Sequence, residues 1–333
     1  METQILKVET TKPAYQAIHL AAEILKWGGL VAFPTETVYG LGADAFNPNA
    51  VQKVFEAKGR PADNPLIVHI SKFDQLEELT DNITETGKLL TQAFWPGPLT
   101  IVVKSSPFVP KIVTGGLDTV AVRMPKHNVA LRLIDVLDRP IVGPSANISG
   151  RPSPTTAQHV HHDLNGRIDL ILDAGRCDIG VESTVVDVTN QPPLILRFGG
   201  LTRERIEQLI GEVQTTEDDH FKRRSPGTRY RHYAPEAKVV LFERGDKLVF
   251  DRLNQKYFED GKKVGYIIYS TDLIGEPAVL GRLVGSNIEI YSQMLFQLLR
   301  DLDTLGADVI LVESVEDIGL GKAVMDRLRM AAK

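Results

Sequence analysis

Cysteine is nearly absent from this 333-residue chain, which has only Cys177. One thiol excludes an intrachain disulfide and any zinc site built from several cysteines. Long apolar runs are missing too: none approaches the roughly 20 residues of a membrane-spanning helix, so no membrane partner is expected. A positive charge excess is missing as well: the formal net charge is −5. Lys and Arg number 38 against 43 Asp and Glu, which argues against indiscriminate nucleic-acid binding but allows a local basic cleft. The first residues, Met1-Glu-Thr-Gln-Ile5, are polar and acidic, unlike a charged leader with an apolar core. A reducing, cytoplasmic setting is the expectation. The common signatures are absent as well: no Walker A loop, dinucleotide fingerprint, H-E-x-x-H helix or protein-kinase motif. Internal repeats and low-complexity tracts are not seen. The composition is that of a globular protein long enough for one sizeable core and a second, smaller domain.

Apolar periodicity predicts helices near 13–27, 47–57, 84–94, 128–137, 155–163 and 202–210. Strands are expected at 30–33, 66–70, 99–103, 119–122, 140–143, 168–172, 183–188 and 194–197. Pro48 opens one helix and Gly28-Gly29 closes another. This irregular mixture implies an α/β domain on a mixed, twisted sheet over residues 1–213. Residues 214–236 lack an apolar period and read as a linker, yet Ser225-Pro-Gly-Thr-Arg-Tyr-Arg-His-Tyr-Ala-Pro235 is dense in aromatic and cationic side chains. From 237 to 333, strands at 238–242, 264–269 and 309–312 alternate with helices at 246–259, 287–305 and 319–332, the pattern of a small parallel α/β domain. Gly319-Leu-Gly321 lacks the third glycine of a phosphate loop, Val324 standing there, and reads as a helix start.

The most informative stretch is Lys58-Gly-Arg60-Pro-Ala-Asp-Asn64-Pro-Leu-Ile-Val-His69. Its two cations flank a glycine, so they can converge on one multiply charged anion, Arg with a forked contact and Lys with a point charge. Alone, K-x-R is usually a solvated turn. Here it has company at the ends of other apolar runs: Pro34-Thr-Glu-Thr-Val-Tyr-Gly40, Arg123-Met-Pro125, Gly143-Pro-Ser145-Ala-Asn147, Glu182-Ser-Thr184 and Arg197-Phe-Gly-Gly200. Without a nucleotide-binding loop, a nucleotide must be held by scattered groups: cations at Lys58, Arg60, Arg123 and Arg197, hydroxyls at Ser145, Ser153, Ser183 and Thr184, amides at Asn64 and Asn147. Pro144 and Asn147 break the nucleophile-elbow pattern around Ser145, so that loop reads as an anion cradle. The 34–40 loop suits a small zwitterion, with Thr37 making hydrogen bonds. His69, inside an apolar strand, reads first as a satisfied core residue, and His159, His161 and His162 as surface residues. Phe94-Trp-Pro-Gly-Pro-Leu-Thr100 reads as an architectural turn.

In this order and spacing, the 34–41, Lys58-Gly-Arg60, Ser145-Ala-Asn147, 225–235 and Gly319–Arg329 segments make the chain resemble the threonylcarbamoyl-AMP synthase family in its long form, from about Ile18 onward. The resemblance implies a YrdC-type N-terminal α/β domain with a concave cleft, a linker or lid, and a Rossmann-like C-terminal domain. It implies a nucleotidyltransferase joining L-threonine, bicarbonate or CO2, and ATP into L-threonylcarbamoyladenylate, with pyrophosphate released. The product would pass to a separate transferase complex that makes N6-threonylcarbamoyladenosine in tRNA, with transient tRNA contact possible. By the same resemblance, Arg60, Asn64, Thr119, Ser145, Asn147, Ser153 and Arg197 contact ATP, with Lys58 beside the triphosphate. Lys58 and Arg60 are the expected catalytic residues. Thr37, His69, Arg123, Gly143 and Ser183 surround L-threonine, Arg123 pairing with its carboxylate. Mg2+ arrives with ATP, and no protein metal site is expected. Residues 225–235 would fold over the cleft, with Tyr230, His232 and Tyr233 near the nucleotide. Rival readings are a double-stranded RNA-binding module, a non-catalytic sensor of nucleotide or amino acid, and the carbamoyltransferase of hydrogenase maturation. The last needs zinc-finger cysteines that one thiol cannot supply.

Overall fold

Strands whose side chains alternate between two sets of apolar partners build the larger part of this protein. The computed structural model describes residues 2–216, 225, 232–270, 281–285 and 287–333. These fall into two compact units. The first comprises 2–149, 153–178, 182–216 and 225; the second comprises 150–152, 179–181 and the residues from 232 onward.

In the first unit the elements run β1 (Gln4–Lys7), α1 (Tyr15–Lys26), β2 (Val31–Phe33), β3 (Gly40–Asp44), α2 (Pro48–Lys58), β4 (Ile67–His69), α3 (Asp74–Leu79), α4 (Glu85–Phe94), β5 (Leu99–Lys104) and α5 (Lys111–Thr114). They continue as β6 (Thr119–Arg123), α6 (Asn128–Leu137), β7 (Ile141–Val142), α7 (Ala157–Leu164), β8 (Leu170–Asp173), β9 (Thr184–Asp187), β10 (Leu194–Arg197), α8 (Arg203–Ile210) and β11 (Gln214–Thr215). The strands form one mixed sheet in the order β1-β8-β2-β3-β7-β4-β6-β5-β9-β10-β11.

Successive residues of a strand face opposite sides of its sheet. Along β2, Val31 and Phe33 join a cluster with α1 and α6, while Ala32 joins the cluster that contains α2, α3, α4, α7 and α8. Along β8, Leu170 and Leu172 take the first side and Ile171 the second. His69 lies opposite both Ile141, a member of the α1/α6 cluster, and Arg123. On that face of the neighbouring strands, Ile67, Val102, Ala121, Val185, Leu194 and Leu196 cluster together, and no helical residue of the described chain contributes. The polar strand-end residues considered below belong to this stretch of sheet.

In this unit three strands go beyond the sequence expectation, as does the strand Gly281–Leu283 of the second unit. β1 is a short edge strand with mostly exposed side chains, so it carries little apolar signal. β3 contains Gly40 and Gly42, which a strand pattern disfavours. The structure shows why they stand there: a Cβ on Gly40 would lie 2.7 Å from the Phe33 ring, and one on Gly42 would lie 3.0 Å from the Val31 carbonyl. β11 takes the first two residues of the expected linker and pairs with β10.

The second unit contains β12 (Lys238–Phe242), α9 (Lys247–Glu259), β13 (Val264–Ile268), β14 (Gly281–Leu283), α10 (Ile288–Thr304), β15 (Val309–Glu313) and α11 (Gly319–Ala331). Its sheet, β12-β15-β13-β14, is wholly parallel, as the alternation of strands and helices predicts. The buried Glu313 carboxylate accepts hydrogen bonds from the backbone N–H groups of Gly245 (2.9 Å), Tyr269 and Ser270 (both 2.7 Å), which ties the strand ends together. The short segments from earlier in the chain are fastened to α10: Ser292 Oγ donates to the Ile179 carbonyl, and a Cβ on Gly180 would lie 2.3 Å from the Ser292 carbonyl oxygen.

Candidate active site

The loop after β2 is held by its own hydroxyls. Thr35 Oγ1 accepts from the backbone N–H groups of Thr37 and Val38, and it lies 2.8 Å from Thr37 Oγ1. This local hydrogen bonding fixes Glu36 and Thr37 without regular secondary structure. Both side chains are buried. Arg123, the last residue of β6, donates from Nη1 to Thr37 Oγ1 (2.8 Å) and from Nε to the Gly97 carbonyl (3.2 Å). Its Nη2 lies 2.7 Å from Glu36 Oε2, yet the angles are not those of a directed hydrogen bond, so the contact is ionic only. Two residues outside the sequence-based assignment thus enter the site, Glu36 and Gly97. The motif 34–40 signalled the first. The second lies in the turn read as merely architectural, where Trp95 Nε1 donates to the Leu99 carbonyl (2.8 Å).

His69, opposite Arg123 in the β4–β6 register, meets the Phe33 ring edge-on at 5.7 Å between centroids. Its Nδ1 has no hydrogen-bond partner, unlike the satisfied core histidine first expected. Burial, and then the Arg123 guanidinium, push this imidazole down to about 3, so it is neutral near pH 7. Gly143, just after β7, lies against it: a Cβ there would be 2.6 Å from Nδ1. Thr37, His69, Arg123 and Gly143 therefore come together.

Ser183 is linked to a second group. Its Oγ lies 2.7 Å from Thr100 Oγ1, and Arg197 Nη2 donates to the Ser183 carbonyl (2.9 Å) and hydroxyl (3.2 Å). Register shifts between Ile195 and Arg197, an irregularity that alters the side-chain alternation just before this arginine. Ser153 Oγ donates to Glu182 Oε1 (2.6 Å), adding a carboxylate that the sequence reading left without a role.

Around the K-x-R stretch, Asn47 caps α2 through bonds from the N–H groups of Asn49 and Ala50, and Gly59 ends the helix at φ +60°. The helix delivers Lys58 to the 145–147 loop, where Nζ donates to the carbonyls of Ser145 (2.5 Å) and Asn147 (2.6 Å). Burial first, and Arg60 second, hold this ammonium well below the usual lysine range. Ser145 also bridges to Gly40 of β3, which connects this loop to the one bearing Thr37. Arg60 Nη2 donates to the Pro65 carbonyl (3.0 Å), and the fully buried Asn64 amide makes no side-chain hydrogen bond through either end. Thr119 is buried at the start of β6, on the same face as Arg123.

Among the linker residues, Tyr230 lies outside the described residues. His232 and Tyr233 belong to the second unit, where Tyr233, at φ +64°, stacks on Phe296 at 5.4 Å with the Arg327 guanidinium 5.2 Å from its ring. His159 departs from its expected surface role: it is buried, and its Nδ1 accepts from the Thr155 N–H at 3.2 Å. Grooves of about 550 and 460 Å3 occur elsewhere, the first along Phe73, Leu76, Ile83 and Thr91, the second along Pro13, Ser71 and Leu131, and none of the site residues lines them. Among the described residues, the site is marked by buried polar groups with open hydrogen-bonding capacity.

Residues 23–199 match the family model described as telomere recombination, and residues 201–333 match that described as threonylcarbamoyl-AMP synthase, C-terminal domain. The chain is 51% identical to the threonylcarbamoyl-AMP synthase of Pyrococcus abyssi, over 95% of this chain and 94% of that one. It is 46% identical to the protein of that name from Bacillus subtilis, over 94% and 92%. The crystal structure of P. abyssi Sua5 complexed with L-threonine matches with a TM-score of 0.94 at 50% identity, covering 99% of this chain and 98% of that one.

Proposed function

The chain belongs to the threonylcarbamoyl-AMP synthase family, and from that premise we propose how its first unit acts as a nucleotidyltransferase. L-threonine, bicarbonate or CO2, and ATP give L-threonylcarbamoyladenylate and pyrophosphate, with water formed when bicarbonate is the carbon source. The observation that carries this reading is the buried group of Arg123, Thr37, His69 and Gly143, in a chain that matches a threonine-complexed relative over nearly its whole length. Arg123 Nη2, buried without a directed hydrogen bond, is suited to the substrate carboxylate. The neutral His69 and the hydroxyls of Thr37 and Ser183 complete the amino-acid side.

The amine takes up CO2 to form a carbamate, whose oxygen attacks the α-phosphorus of ATP while pyrophosphate departs. No covalent enzyme intermediate is needed, so catalysis rests on positioning and on charge stabilisation away from water. Arg60, Arg197 and Lys58 serve the triphosphate. Asn64, Thr119, Ser145, Asn147 and Ser153 supply polar contacts to the nucleotide, and the Asn64 amide, open at both ends, suits a ligand with a donor and an acceptor. No group of three or more His, Cys, Asp or Glu suited to a metal exists among the described residues. In this reading Mg2+ enters with ATP as a substrate chelate. Passage of the product to a tRNA-modifying transferase complex, transient tRNA contact and a cytoplasmic location complete the proposal; residues 226–231 of the expected lid lie outside the described residues. Among the described residues, no helix is long and apolar enough to cross a membrane.

Pyrophosphate release by the full-length protein tests the reaction. It should require threonine and bicarbonate together with MgATP, and threonine-independent release at the same rate would overturn the reading.

A further inference from the structure

The Glu36–Arg123 pair is buried, with Glu36 and Arg123 each 4% exposed. An ion pair this deep is stable only when its remaining donors and acceptors are met. Here they are not. Neither oxygen of Glu36 receives a hydrogen bond, and Nη2 of Arg123 makes none, although the charges sit 2.7 Å apart. The other two nitrogens of Arg123 are fixed by Thr37 and Gly97, so the guanidinium is aimed, and its Nη2 edge meets Glu36 by charge alone, without a directed hydrogen bond. A carboxylate lacking donors beside a guanidinium edge lacking acceptors is the complement of a zwitterion.

We propose that Glu36 is the second half of an α-amino-acid receptor, accepting hydrogen bonds from the substrate ammonium while Arg123 Nη2 takes the substrate carboxylate. This rests on the threonine reading above and assigns Glu36 a specificity role within it. The protein thereby selects ligands that carry both an amine and a carboxylate, and it holds at a fixed point the nitrogen that takes up CO2 once the ammonium has passed a proton to the Glu36 carboxylate or to solvent. Ligands without the amine would leave the buried Glu36 oxygens without those hydrogen bonds, a loss on the scale of one charge-assisted hydrogen bond.

Calorimetric titration of the full chain with L-threonine and with 3-hydroxybutyrate, its deaminated counterpart, tests the assignment. The unmodified protein should bind threonine at least about tenfold more tightly than 3-hydroxybutyrate, the scale of one charge-assisted hydrogen bond. Glu36→Gln, nearly identical in shape, should weaken threonine by a similar factor while leaving 3-hydroxybutyrate unchanged or tighter. Equal weakening of both ligands would mean that Glu36 only positions Arg123, and it would overturn the proposal. So would a threonine affinity untouched by the substitution. The comparison of the two ligands on the unmodified protein needs no variant, and equal affinities there would also refute it. Absence of any threonine binding to the unmodified protein would instead remove the threonine reading itself.

Discussion

At Lys58 one side chain holds the architecture of a loop to which the proposed function also assigns chemistry. Its ammonium is almost wholly buried, and it donates to carbonyls at Ser145 and Asn147, two residues of the loop proposed to meet the nucleotide. Lys58→Met keeps the length and apolar stem but leaves those carbonyls without their donor, and a buried orphaned acceptor costs about 1–3 kcal/mol. Pyrophosphate release should fall at least 100-fold, with the apparent KM for ATP rising more than that for threonine. Equal rises for the two substrates, at unchanged urea stability, would show that Lys58 holds neither the loop nor the triphosphate. The sequence signalled this residue through K-x-R and its glycine. It could not signal that the ammonium would be engaged by backbone oxygens 87 and 89 residues away, because such partners have no pattern in the chain.

Among elements, the β7-β4-β6 neighbourhood gathers the residues proposed to form the amino-acid side of the site. Pairing places His69 opposite Ile141 on one side and Arg123 on the other, and Gly143 follows directly after β7. A Cβ at Gly143 would lie 2.6 Å from His69 Nδ1 and 3.0 Å from the Phe33 ring, between two packed side chains. Gly143→Ala is therefore expected to reduce threonine affinity by tenfold or more as the imidazole is displaced. The nucleotide side should be much less affected, which a fluorescent ATP analogue would register alongside calorimetry with threonine. An alanine variant that binds threonine normally would show that His69 moves freely and does not line the pocket. Helix α2 was legible in advance, since Asn47-Pro48 opens it and Gly59 closes it, and both ends behave as those residue types dictate. β3 was not, because its glycines are required by the Phe33 ring and the Val31 carbonyl, which belong to another strand.

For the whole molecule, buried titratable groups set the acid limit of stability. A histidine in the unfolded chain takes up its proton near 6.5, while His69 in the folded protein does so only near about 3. Between those values the unfolded chain binds more protons, so the His69 contribution is present above pH 6.5 and is lost as the pH falls toward 3. His69→Asn, which cannot titrate, should flatten the plot of urea midpoint against pH within that window. Superimposable acid limbs for the two proteins would show that His69 is protonated in the folded state like any exposed imidazole.

Local sequence by itself determined the wholly parallel second unit, the helix ends built on Asn47, Pro48 and Gly59, and the cluster of motifs from which the chemistry was read. These follow from backbone preferences and apolar periodicity, which act over a few residues. Tertiary structure alone decided the order of the large mixed sheet, the burial of His159, and the meeting of Glu36, Arg123 and Gly97. Pairing among strands distant in sequence, and the cost of leaving buried charges and amides unmet, are properties of the folded whole.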